Sequence, residues 1–164
     1  MFTDFPQWQW DVPEYFNIGV ACTDRHLGTD RQNNIAMIVE DDTLGTATIS
    51  FAELAEKTDR FAQVLHDLGV KPGDRVLIRL PNSLDYPIAF LGAMKMGAIS
   101  VPTSTLLTAE EVAYLAKDSG AQVLVTDAAA WYGMADAIVD TPALKHILLA
   151  QAAEVRPHQK FNVL

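Results

Sequence analysis

The chain has 164 residues, a mass of 18.0 kDa and a formal net charge of −9. Apolar residues make up 49% of it and charged residues 20%, which is enough apolar material for one folded core and argues against disorder. The acidic balance argues against binding to nucleic acid or anionic lipid, and the single cysteine, Cys22, excludes a disulfide-rich secreted domain and favours the cytoplasm.

The first 34 residues do not read as a secretory signal, because Asp4 is present and no positively charged region precedes an apolar run. Their clustered aromatic residues are Trp8, Trp10, Tyr15 and Phe16. We interpret these as pinning the segment to a neighbouring surface rather than as a ligand cage. Residues 17–27 predict a helix and residues 28–34 a polar stretch. The most apolar run, residues 88–101, is too short to span a membrane.

A β-hairpin is predicted next. Ile35–Val39 is a short apolar run of strand length, Thr46–Ser50 is rich in β-branched residues, and the turn-rich sequence EDDTLG lies between them. The adjacent acids Asp41 and Asp42 fall in this turn, and we interpret them as solvated charges rather than as a catalytic carboxylate pair.

A long amphipathic helix follows the hairpin. Ser50 and Glu53 have the spacing of a capping box, in which each side chain bonds the other residue's backbone N–H. Gly69 suits the C-terminal end of the helix, and a turn then leads into a predicted strand at Arg75–Leu80.

A second helix is predicted from Ser83, acting as its cap, to about Met96. It is apolar almost all round, which predicts burial on several sides. Pro87 removes a backbone donor, which favours a start later than Ser83. Gly97 ends the helix before a short strand at Ala98–Val101.

The same alternation continues to the end of the chain. Thr108 and Glu111 repeat the capping-box spacing and open a third helix. Strands are then predicted at Gln122–Thr126 and, as the last one, at Lys145–Leu149, with a helix over Ala128–Val139 between them.

Apolar strands that alternate with helices predict an α/β fold: a mostly parallel, doubly wound sheet with helices on both faces. We therefore divide the chain into an N-terminal lead-in segment over residues 1–34, an α/β subdomain over residues 35–150 and a polar tail or linker over residues 151–164.

Ligands of such sheets bind beyond the carboxyl ends of the strands, so the loops after Leu80, Val101 and Thr126 are where a site is expected. The best local candidate is the sequence PTST at residues 102–105. Its hydroxyl groups are suited either to contact a ligand or only to stabilise a turn, and the sequence favours the two roles about equally.

Common catalytic motifs are missing from the sequence. It contains no G-x-G-x-x-G, no G-x-x-x-x-G-K-[ST] and no G-x-S-x-G, which argues against a dinucleotide cradle, a phosphate loop and a serine hydrolase. Its histidines are His26, His66, His146 and His158. None has metal-ligand spacing to another or to Cys22, and we interpret Asp24–His26 as a solvated charge cluster. We predict no catalytic, cofactor-binding or metal-binding residue.

Several stretches occur in an order typical of one enzyme family. Ile49–Leu54 (ISFAEL) matches its first core motif, and Leu68–Val76 is similar to its connection into the next strand. Pro81–Pro102, ending in KMGAISVP, resembles its second motif, and Phe16–Asn17 and Asp24–Leu27 look like its opening segment. The sequence thus resembles the adenylate-forming superfamily, in its acetyl- and medium-chain acyl-CoA synthetase branch.

The resemblance implies an ATP-dependent acid–CoA ligase. In that reaction a carboxylate attacks the α-phosphate of ATP, pyrophosphate leaves, and the CoA thiol displaces AMP, with Mg²⁺ accompanying the nucleotide. The family's phosphate loop, adenine-side motif, ribose-binding aspartate and late catalytic lysine have no counterpart before Leu164. We therefore carry over no site residue.

The chain is accordingly expected to be the N-terminal portion of such a synthetase and inactive alone. The rest of the enzyme is its expected partner, with a carboxylic acid as substrate. Surfaces that contact the rest of the enzyme, among them the segment with Trp8 and Trp10, are expected to be exposed and to cause self-association or binding of apolar dyes. The alternatives are a stand-alone flavodoxin-like α/β binding module and a non-catalytic partner of a full-length synthetase.

Overall fold

The predicted alternation of strands and helices is present in a computed structural model, which describes residues 9–11, 13–41, 45–152 and 154–164. In chain order the elements are α1 (Ile18–Cys22), a 3₁₀ turn (Asp24–His26), β1 (Ile35–Asp41), β2 (Gly45–Ser50), α2 (Phe51–Asp67), β3 (Arg75–Arg79), α3 (Asp85–Lys95), β4 (Ile99–Pro102), α4 (Ala109–Ser119), β5 (Val123–Asp127), α5 (Ala128–Met134), β6 (His146–Ala150) and β7 (Asn162–Val163). No helix in this described part is long and apolar enough to cross a membrane.

The main sheet has five strands in the order β4-β3-β5-β6-β7, and every neighbouring pair is parallel. Strand β4 lies on one side of β3 and β5 on the other. Ile78 of β3 is therefore opposite Pro102 in one direction and Val125 in the other. This arrangement confirms the predicted parallel α/β fold.

Both faces of the sheet are covered by apolar clusters. Val76 and Ile78 pack with Leu65 of α2 on one face, whereas Leu77 packs with Val112 of α4 on the other. Successive strand residues point to opposite faces, so a continuous apolar run such as Val76–Ile78 serves both clusters. The helices predicted on both sides of the sheet are thus confirmed.

The hairpin of β1 and β2 is also confirmed, with Ile38 paired to Thr48 in an antiparallel register. The turn residues 42–44, including the predicted solvated Asp42, lie outside the described residues.

The first and third long helices begin as predicted. Ser50 Oγ accepts from the Glu53 N–H at 3.2 Å, and Glu53 Oε2 accepts from the Ser50 N–H at 2.9 Å. Thr108 and Glu111 form the same pair of bonds at the start of α4.

The predicted cap at Ser83 is wrong. The residue before α3 is Leu84, and it makes no side-chain cap. The helix begins at Asp85, so Pro87 is its third residue, where a backbone N–H has no partner within the helix in any case. The later start that Pro87 favours is confirmed.

Replacing Thr108 with alanine is expected to cost about 1 kcal/mol of unfolding free energy, since it removes a bonded cap. Replacing Ser83 with alanine is expected to cost less than about 0.5 kcal/mol, because no cap is lost. Urea unfolding followed by circular dichroism measures both. Equal losses would contradict the assignment of the helix starts.

The C-terminal part differs from prediction in two ways. Helix α5 ends at Met134 rather than near Val139, and the chain then turns to bury Ile138 and Leu144. The strand predicted at Lys145–Leu149 is present as β6, but it is not the last strand, because Asn162–Val163 adds a parallel strand beside it. The N–H of Leu164 donates to the Ile147 carbonyl at 2.9 Å, and Phe161 is only 3% exposed.

Candidate functional site

A cleft of about 530 Å³ lies at the carboxyl ends of β3, β5 and β6. Its floor is formed by Leu80, Asn82 and Ser83 after β3, by Asp127 and the start of α5, and by Gln151 after β6. Val39 and Ala47 of the hairpin form the opposite wall. Two of the loops in which a site was predicted, those after Leu80 and Thr126, therefore meet here.

The third predicted loop does not join them. Residues 102–105 follow β4, the edge strand, on the far side of β3 from β5. Ser104 Oγ accepts from the Leu106 N–H at 3.1 Å, and the Thr105 carbonyl accepts from Arg79 Nη2 at 2.6 Å. These contacts are those of a hydroxyl-stabilised turn, the second of the two interpretations of the PTST sequence.

The polar groups of the cleft are partly engaged. Asp127 Oδ1 accepts from the Ala130 N–H at 2.8 Å and caps α5. The side chain of Gln151 donates to Asp85 Oδ2, and Gln151 has a left-handed backbone with φ 53°. The side chains of Asn82 and Ser83 make no hydrogen bond to the described part of the chain, so they are available to a ligand.

The charge of the cleft is negative. Asp85 and Asp127 line it, and no Lys, Arg or His among the described residues does so. Nor does the described part of the chain contain a cluster of three His, Cys, Asp or Glu that would hold a metal ion. The cleft is suited to uncharged or cationic groups, and it lacks the cations that hold phosphate.

The Asp24 part of the Asp24–His26 cluster is not a solvated charge. Asp24 Oδ2 lies 2.5 Å from Lys95 Nζ and accepts from Thr23 Oγ1 at 2.6 Å. Lys95 also lies 2.7 Å from Asp59 Oδ1, and its side chain is only 5% exposed. Sequence patterning missed this contact, although a lysine inside an almost uniformly apolar helix was a visible signal.

The pKa of Asp24 is lowered by these contacts. Partial burial acts to raise this pKa, but the hydrogen bonds from Lys95 and Thr23 and the charge of Lys95 together outweigh it.

Asn17 and Gly19 attach the lead-in segment to α3. Asn17 Nδ2 donates to the carbonyls of Met94 and Lys95 at 3.2 and 2.9 Å, where helix α3 ends. Gly19 lies so close to α3 that a Cβ there would be 2.6 Å from the Leu91 carbonyl oxygen. Trp8 lies outside the described residues, and Tyr15 and Phe16 are exposed, so these two side chains do not pin the segment.

The solved structures that share this fold include CoA ligases. The anthranilate CoA ligase AuaEII, in complex with anthranoyl-AMP, superposes with a TM-score of 0.76 at 27% identity, over 85% of this chain and 26% of that one. The benzoate CoA ligase of Burkholderia xenovorans LB400 superposes with a TM-score of 0.70 at 26% identity, over 84% of this chain and 26% of that one. The fold is therefore that of the adenylate-forming CoA ligases.

Residues 26–163 match the family described as AMP-binding enzyme, and the chain belongs to that family. The benzoate–CoA ligase of Thauera aromatica is 32% identical over 143 residues, which are 87% of this chain. The long-chain-fatty-acid–CoA ligase FadD13 of Mycobacterium tuberculosis is 40% identical over 77 residues, 47% of this chain. The chain spans 26% of the length of the first of these relatives and 15% of the second.

Proposed function

We propose that this chain is the N-terminal scaffold of an ATP-dependent acid–CoA ligase, which converts a carboxylate, ATP and CoA into acyl-CoA, AMP and pyrophosphate. The observation that supports this most strongly is the family match over residues 26–163, together with relatives that are named as CoA ligases for aromatic and fatty acids. The substrate of the parent enzyme is accordingly an aromatic or fatty carboxylic acid.

The residues that carry the family resemblance have structural roles in this chain. Ser50 and Glu53 of the ISFAEL stretch form the capping box of α2. Gly97 of the KMGAISVP stretch has φ +85° and lies so close to Pro72 that an added Cβ would be 3.1 Å from the proline ring. Such contacts set the helix start and the turn into β4.

The cleft lined by the described residues does not offer the groups that usually hold a nucleotide's phosphates. ATP carries phosphates that proteins hold with cations and with backbone N–H groups at glycine-rich loops, and the cleft offers two carboxylates instead. We propose that ATP, Mg²⁺ and CoA are bound in the parent enzyme by groups outside this chain, and we derive no catalytic step from the present residues. The single cysteine supports a cytoplasmic location for the parent enzyme.

An ATP–pyrophosphate exchange assay with acetate, octanoate, palmitate and benzoate tests the proposal. The 164-residue chain is expected to show no exchange above the protein-free background. A polypeptide that joins this chain to the remainder of the proposed ligase is expected to exchange with at least one acid.

Exchange by the 164-residue chain would overturn the scaffold role. Failure of the longer polypeptide with every acid would overturn the ligase assignment and favour a non-catalytic partner of a synthetase.

A further inference from the structure

Three neighbouring cavities form one trough along the carboxyl edge of the sheet. The cleft shares Leu80, Asp85 and Ala150 with an apolar groove of about 280 Å³ between α2, α3 and β6. At its other end it shares Asn82 and Ser83 with a groove of about 380 Å³ between the hairpin and α3. We call these three cavities together the trough.

The two ends of the trough are apolar. Phe61, Ile88 and Leu149 line one end. Tyr86 and Phe90 line the other, with their rings stacked 6.2 Å apart between centroids. Covering such apolar surfaces with apolar side chains lowers the free energy of the complex.

The middle of the trough is acidic. Asp85 and Asp127 are its charged groups, and among the described residues no Lys, Arg or His lines any of the three cavities. Asp127 uses Oδ1 to cap α5, and Oδ2 has no hydrogen bond within the described part of the chain. A carboxylate beside apolar walls attracts a cation more strongly than one in open water does.

We propose that the trough is a docking site for a polypeptide segment that presents a Lys or Arg side chain to Asp85 and Asp127 and apolar side chains to the two ends. The segment comes from another part of the same ligase, so this inference rests on the proposed function. The chain spans only 26% of the benzoate–CoA ligase that it matches, which leaves most of such an enzyme to supply the segment. A second copy of this chain is a poorer occupant, because each copy carries a net charge of −9.

The chemistry of the occupant is tested on the 164-residue chain with three synthetic amphipathic peptides of the same length, built from Leu with Lys, Leu with Gln and Leu with Glu. At about 150 mM salt, which screens diffuse attraction, the Lys peptide is expected to bind at least about tenfold more tightly than the Gln peptide. Amide chemical shifts in ¹H–¹⁵N spectra are expected to change at residues 80–85, 127–129 and 150–151.

Charge-neutral variants locate the contact. Asp127→Asn keeps the cap of α5, since asparagine is an equally good cap. It is expected to weaken binding of the Lys peptide about fivefold, by loss of one charge contact. Asp118→Asn is the matched control, because Asp118 is exposed on α4 and its replacement removes the same charge. It is expected to change the affinity less than about twofold, as a screened distant charge does.

Three results would overturn the docking chemistry: equal effects of the two variants, shift changes confined to other surfaces, or saturable binding of the Glu peptide or of ATP in the trough. Shift changes at the trough that depend on protein concentration alone would assign it to a second copy instead. All of these readouts are independent of pyrophosphate exchange.

The source of the segment is tested with overlapping peptides from the part of the Thauera aromatica benzoate–CoA ligase outside the matched 143 residues. Those that bind are expected to contain Lys or Arg among apolar residues. Replacing that Lys or Arg of the peptide with Gln is expected to make the peptide bind the Asp127→Asn variant and the unmodified chain with equal affinity. Absence of any binding peptide would overturn the assignment of the segment to the ligase.

Discussion

Replacing Gly92 with alanine is expected to destabilise the fold by about 2–3 kcal/mol, because overpacking of a close contact forces backbone movement. Helices α2 and α3 touch at this point. A Cβ on Gly92 would lie 2.8 Å from the Thr58 carbonyl oxygen and 3.0 Å from Cδ1 of Phe61. The backbone oxygen cannot rotate aside, so α3 must move away from α2 and open the apolar cluster beneath both helices.

Gly133 provides the matched control, since an added Cβ there meets nothing within 4 Å. It lies inside α5, and alanine is expected to stabilise that helix by about 0.5 kcal/mol through its better helix propensity. Urea unfolding followed by circular dichroism measures both variants. If Gly92→Ala were as well tolerated as Gly133→Ala, the close approach of α2 and α3 would be wrong.

Replacing Lys95 with methionine is expected to lower the free energy of unfolding by about 2 kcal/mol. Breaking a fully buried ion pair would cost more, but the two carboxylate partners of Lys95 remain partly solvated. The Nζ group lies 2.5 Å from Asp24 Oδ2 and 2.7 Å from Asp59 Oδ1, and it donates to the Ala55 carbonyl at 3.2 Å. Methionine keeps most of the apolar stem but leaves the half-buried Asp24 carboxylate without its cation. The lead-in segment is expected to become more accessible to protease as a result.

Lys117 offers a control of the same residue type. Its Nζ lies 2.5 Å from Asp140 Oδ2, but the two side chains are 57% and 84% exposed. Lys117→Met is therefore expected to leave the urea unfolding midpoint almost unchanged, as for other exposed ion pairs. Equal losses of stability in the two variants would show that the burial of Lys95 does not strengthen its ion pairs.

The pH dependence gives a second readout of the Lys95 contact. The pKa of Asp24 is lower in the folded chain than its ordinary value of 3.8, so the folded state favours the ionised carboxylate. The corresponding stability is present above the unfolded pKa and is lost as the pH falls through the folded one. In Lys95→Met this acid-dependent loss is expected to shrink, which unfolding measured from pH 7 down to about 3 would detect.

Local sequence signals predicted most of the elements. The pairs Ser50–Glu53 and Thr108–Glu111 open helices because each capping box is complete within four residues and needs nothing from the rest of the fold. Strand β7 was missed because it has only two residues in a polar stretch. It forms through the backbone of β6 and the burial of Phe161, and both are tertiary effects.

The candidate site was predicted in part, for a related reason. The loops after Leu80 and Thr126 follow neighbouring strands and meet in the cleft, whereas the loop after Val101 follows the edge strand. Strand order decides this difference, and it cannot be derived from the pattern of any one segment. The contribution of Gln151 depends on a left-handed backbone conformation that its residue type does not indicate. The division of the chain at residues 34 and 150 stays a prediction.

The strand order also bears on how the chain folds as the ribosome makes it. Once β3 and β4 have paired, each later strand joins the same edge in the order of its synthesis: β5 beside β3, then β6, then β7. With this order, no earlier pair has to separate when a later strand is added. A sheet with this connectivity can therefore grow by addition at one edge, from its amino-terminal strands onward.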